Sequence, residues 1–80
     1  MDLYIGNLSY LTTEAELRDL FAPFGPAVPP HLVLDAAGIS RGYALVPFDD
    51  PAAADAAVLA LNGSLLHGRV IIVRPAAPGE

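Results

Sequence analysis

Arg41-Gly42-Tyr43-Ala44-Leu45-Val46-Pro47-Phe48 is the stretch from which the fold can be read. In extended backbone, successive side chains point to opposite faces. Ala44, Val46 and Phe48 therefore share one face, and Tyr43, Leu45 and Pro47 share the other. A second stretch, Leu3-Tyr4-Ile5-Gly6-Asn7-Leu8, repeats the arrangement near the start of the chain, with Leu3 and Ile5 on one face and Tyr4 and Gly6 on the other. Both read as strands with an apolar face for a core. Each also turns a tyrosine away from that core.

Between these stretches, Thr13-Glu14-Ala15-Glu16 has the form of a capping box, with Thr13 as N-cap and Glu16 at the third helical position. The helix it opens places Leu17, Leu20, Phe21 and Phe24 along one stripe, and Pro23 and Gly25 close it. Residues 27–35 read as extended. Pro29 and Pro30 donate no ladder hydrogen bond, which confines this strand to an edge. Asp35-Ala36-Ala37-Gly38 is a turn, so the edge strand and the octamer form a hairpin. For Pro47, within the octamer, the expectation is a bulge or a missing ladder bond.

After Phe48, Asp50-Pro51 starts a second helix, with aspartate capping and proline in the first turn. Ala54, Ala57, Val58 and Leu61 form its buried stripe, and Asn62-Gly63 ends it. Residues 68–74 read as one last strand, with Val70-Ile71-Ile72-Val73 strongly β-prone. Residues 77–80 are expected to be a short flexible tail with nothing to anchor it. The order is strand-helix-strand-strand-helix-strand, an α+β fold of the ferredoxin-like split βαβ type. It comprises a four-stranded antiparallel sheet with two helices on one face, one domain spanning residues 1–76.

Composition narrows the function. Eighty residues, 54% hydrophobic and 16% charged, make one small globule in which nearly every large apolar side chain is needed. Without cysteine there is no disulfide and no thiolate chemistry. His31 and His67 are the only nitrogen ligands and no spacing pairs them, so no metal is expected. Ser9, Ser40 and Ser64 fall in turns without a matched base, so no catalytic residues are assigned. The chain does not read as an enzyme, and no cofactor is expected. No apolar run reaches membrane-spanning length and no signal sequence is recognisable, which makes a soluble, cytoplasmic, monomeric domain the expectation. The charge opposes one obvious ligand class. Nine acids face four arginines and no lysine, a net charge of −5, whereas nucleic-acid binding draws on phosphate neutralisation by basic side chains.

The octamer matches Lys/Arg-Gly-Phe/Tyr-Gly/Ala-Phe-Val-x-Phe/Tyr, the pattern of the RNA recognition motif, at every position but the fifth. Leu3 to Leu8 resembles that family's hexamer, aliphatic-aromatic-aliphatic-x-Asn-Leu. The resemblance extends over nearly the whole chain, from Asp2 to about Ala76. It implies a strand order of 4-1-3-2, with hexamer and octamer side by side at the centre of the sheet.

The same resemblance implies binding of single-stranded RNA on the open sheet face. Tyr4 should stack on a base, Tyr43 should pack against sugars or a neighbouring base, and Arg41 should meet a phosphate. Leu45, Ile72 and Arg74 complete the expected RNA-binding set. Three departures point to weak binding: Leu45 stands where the family carries a second stacking ring, residues 35–40 contain no basic side chain, and Pro47 interrupts a central strand. Leu45, Pro47, Val70 and Ile72 make the open face apolar. The alternative function is therefore a protein-interaction or self-association module.

Overall fold

A computed structural model describes all residues, 1–80. The elements in chain order are β1 (Asp2–Gly6), α1 (Glu14–Phe21), a 3₁₀ turn (Ala22–Phe24), β2 (His31–Leu34), β3 (Ser40–Pro47), α2 (Pro51–Leu61), β4 (Leu65–Leu66), β5 (Arg69–Val70) and β6 (Ile72–Pro75). β2, β3, β1 and β6 form a four-stranded antiparallel sheet in that order, while β4 and β5 form a separate two-stranded ribbon. The two stretches that decide the fold are neighbours at its centre, with Leu3 opposite Val46, Tyr4 opposite Leu45 and Ile5 opposite Ala44.

Both helices start as the sequence predicts. The Thr13 hydroxyl accepts from the Glu16 amide at 3.2 Å, and the Glu16 carboxylate accepts from the Thr13 amide at 3.0 Å. The Asp50 carboxylate accepts from the Ala52 amide at 3.0 Å, with Pro51 in the first turn. One face of the sheet packs on the helices through Leu3, Ile5, Ala44, Val46, Ile71 and Val73, which meet Leu17, Phe21, Ala54, Ala57 and Leu61. The fully buried alanines let α2 lie close to the sheet. Leu20, Val58 and Phe24 are only half-buried at the margin of this core. Phe48, placed just after β3, is 2% exposed. Removing a core side chain of this size costs about 3–5 kcal/mol.

Three expectations need correction. The last strand does not run unbroken over residues 68–74. His67 and Gly68 both have positive φ, 51° and 75°, and form a tight turn that pairs Leu65 with Val70 and Leu66 with Arg69. Two consecutive left-handed residues are what a two-residue hairpin turn demands, so Arg69 and Val70 pair locally and the sheet strand begins only at Ile72. Pro47 causes no bulge: the β1–β3 register is regular to the Asp2–Pro47 pair, and the Phe48 amide donates to the Met1 carbonyl at 2.7 Å. The missing donor falls on the β2 side, where pairing has already ended at His31–Leu45, and the one register shift lies between Leu32 and Leu34. Finally, residues 77–80 have an anchor. Glu80 accepts hydrogen bonds from Arg74 and from the Ala77 amide.

Candidate nucleic-acid interface

Strand register aligns four side chains across the whole sheet. His31 on β2 lies opposite Leu45 on β3, Leu45 opposite Tyr4 on β1, and Tyr4 opposite Arg74 on β6. Side chains at directly paired positions project from the same face, so this row crosses the face that the helices leave open. Ile72, opposite Gly6, is exposed on that face as well.

Tyr4 is the centre of the row. Its ring stacks on Tyr43, with centroids 5.6 Å apart and planes inclined by 23°. Gly6 makes this position possible: a Cβ there would lie 2.5 Å from Tyr4 Cε1 and 2.7 Å from its hydroxyl. The ring thus rests over a position kept bare by glycine. The Arg74 guanidinium sits over the ring 4.1 Å from its centroid, a cation–π contact. That guanidinium is also held by Glu80 through Nη1 and Nη2, each 2.8 Å from a carboxylate oxygen. The two Arg74 bonds, helped by the Ala77 amide, lower the Glu80 pKa to about 2, and the Glu80 bonds raise that of Arg74.

Arg41 stands apart from the row, exposed at the start of β3. Gly42 adopts φ +81°, its amide donates to the Ser40 hydroxyl, and its carbonyl accepts from the Leu8 amide at 2.9 Å. Only glycine takes this left-handed conformation without strain, and the local turn directs Arg41 toward the end of β1. A cleft of about 560 Å³ lies there, lined by Tyr4, Asn7, Tyr10, Arg41 and Arg69 among others. Sequence reasoning placed Arg69 only within the last strand, with no site role, and passed over Tyr10, which is 77% exposed. Neither carries a periodic signal. Arg69 reaches the cleft because its Nε donates to the Asn7 carbonyl at 3.1 Å and its Nη2 to Asn7 Oδ1 at 2.5 Å, a link between residues 62 apart in sequence.

His31, at the edge-strand end of the row, is exposed. Its Nδ1 lies 3.6 Å from Glu14, whose carboxylate also accepts from the Leu32 amide. Of the expected site residues, the structure thus gathers Tyr4, Tyr43, Leu45, Ile72 and Arg74 on one face and sets Arg41 at its end.

Comparison with known proteins agrees with this geometry. The family model described as RNA recognition motif matches residues 3–72. The chain belongs to the RNA recognition motif family. As an RNA recognition motif it is 47% identical, over 92% of its length, to glycine-rich RNA-binding protein 2, mitochondrial, of Arabidopsis thaliana. It is 41% identical, over 94% of its length, to multiple RNA-binding domain-containing protein 1 of Neurospora crassa. The chain spans 48% of the first relative and 9% of the second. Among solved structures it resembles a Sxl-lethal protein–RNA complex with a TM-score of 0.91 and 31% identity, over 99% of this chain and 48% of that one. No helix of this RNA recognition motif is long and apolar enough to cross a membrane.

Proposed function

We propose that this RNA recognition motif binds short single-stranded RNA across the outer face of its sheet as a monomer. The Tyr4–Tyr43 stack carries the reading: two aromatic rings, side by side on an open β-surface, offer π-faces to unstacked bases. Leu45 and Ile72 supply apolar surface on either side, Arg41 meets a phosphate, and Arg74 reaches a phosphate or base edge once it leaves Glu80. The names of the relatives and the RNA in the Sxl-lethal complex support the same reading. Few cations serve this surface, so binding is modest, with a salt slope reflecting about two or three phosphate contacts. The apolar residues of the face lie around the tyrosines, which favours a base-binding surface over a protein-docking one.

Titration of labelled RNA and DNA oligomers at two salt concentrations, read by fluorescence anisotropy, tests this. Saturable RNA binding by the parent and its loss in Tyr4→Ala/Tyr43→Ala are expected. Equal affinity in the parent and the double variant would remove stacking as the mechanism.

A further inference from the structure

The cleft beyond the tyrosine pair brings Tyr10 and Arg69, which the sheet site does not use, up to Arg41. It is the acid-free concavity of a chain with a net charge of −5, since no aspartate or glutamate lines it. Two of the four arginines, Arg41 and Arg69, line it. Neither Arg41 nor Arg69 takes part in any of the three ion pairs of the molecule, in contrast to Arg74, which Glu80 neutralises. Arg69 spends one Nε and one Nη2 hydrogen bond on Asn7 and keeps further N–H donors for a ligand. Asn7, at φ 60°, is itself fixed through its Nδ2 bond to the Val70 carbonyl at 2.7 Å. The guanidinium is thereby held in place before any ligand arrives. Tyr10 stands at the same cleft almost fully in water, an exposed ring that contributes nothing to the core. A volume of about 560 Å³ lies within the range of small-molecule sites.

We propose that this cleft is a second nucleotide subsite, holding the nucleotide that continues the strand past Tyr4, with its base against Tyr10 and its phosphate between Arg41 and Arg69. The proposal rests on RNA binding at the sheet. Tyr4 lines both places, so one strand passes from sheet to cleft without a gap. Two guanidiniums without acidic partners match one phosphate, and an exposed aromatic ring matches one base.

The experiment compares labelled tri- and hexanucleotide RNAs binding to the parent, Tyr10→Ala, Arg69→Gln and Tyr4→Ala, with the hexanucleotide titrated at several salt concentrations. In the parent the hexanucleotide binds more tightly than the trinucleotide. Tyr10→Ala should narrow that difference by about fivefold or more. Arg69→Gln should narrow it too and lower the salt slope by about 0.7, the loss of one phosphate contact on a single strand. Tyr4→Ala, at the junction of sheet and cleft, should weaken both oligomers. If Tyr10→Ala and Arg69→Gln keep the parental length dependence and salt slope while Tyr4→Ala loses affinity, the cleft is no subsite and the sheet reading stands. If the parent binds neither oligomer, both readings fall. Because Tyr10 lies outside the core, its variant remains informative even if Arg69→Gln disturbs the Asn7 link.

Discussion

Glu80 holds Arg74 by two hydrogen bonds of 2.8 Å while the same guanidinium lies over the Tyr4 ring, so a carboxylate already engages the cation beside this ring. In the proposed binding mode, RNA takes Arg74 from Glu80 and shares the Tyr4 face with it. Glu80→Gln removes the competing charge, and RNA affinity at neutral pH should rise by roughly two- to fivefold, the scale of an exposed ion pair. The pH dependence follows from the lowered pKa. The contribution of the pair is fully present above the usual carboxylate range, and because Glu80 keeps its charge in the folded domain until pH nears about 2, the pair itself opens only as pH falls through about 2. An NMR titration following the Arg74 side chain should show release centred at about pH 2 in the parent and none in Glu80→Gln. Unchanged RNA affinity in Glu80→Gln would mean the pair does not compete with RNA.

Gly6→Ala separates platform from fold. The atoms nearest the added Cβ belong to the far end of Tyr4, a side chain that can swing away, and the backbone at Gly6 is ordinary strand. The domain should therefore fold, with the Tyr4 ring displaced from its place over β1. Near-UV circular dichroism should change, thermal stability should fall modestly, and RNA affinity should fall about as far as in Tyr4→Ala. Parental RNA affinity in this variant would show that the seat over Gly6 does not matter.

The central strands, both helix starts and the outward tyrosines were legible because each rests on a local rule: alternation, a capping box, an Asp-Pro start. The β4–β5 hairpin was not. Its turn is His67-Gly68, and only the backbone shows that histidine takes the left-handed conformation which Asn or Asp more commonly announces. The link from Arg69 to Asn7 was hidden for the same reason, since the hairpin carries Arg69 there. The Arg74–Glu80 pair was equally hidden. Nothing in residues 75–80 signals a return to the sheet, and the ion pair forms only because the chain turns back after β6. Arg41 and Tyr43 were found through a motif, whereas Tyr10 belongs to no repeating pattern.

Phe48→Ala tests the core. The ring is 2% exposed beside the start of α2, and in an 80-residue domain its loss of about 3–5 kcal/mol removes much of the total stability. Chemical denaturation should show a large drop in midpoint or an unfolded variant. A midpoint close to that of the parent would contradict the packing described for Phe48.

Leu45→Phe tests the missing platform. Leu45 lies between His31 and Tyr4 in the row across the sheet, half-buried on the open face. A phenyl ring there adds a third flat surface beside the tyrosine pair without entering the core, so stability should stay within about 0.5 kcal/mol of the parent. One further base stack is worth about 1–3 kcal/mol, so RNA affinity should rise by at least about fivefold. Tyr4→Ala in the same background should take back a similar amount, because the new ring then lacks its neighbour. Should Leu45→Phe leave RNA affinity unchanged while Tyr4→Ala still abolishes it, the bases do not reach β3 at this position. The strand would then run from Tyr4 toward Arg74 and the edge formed by β6.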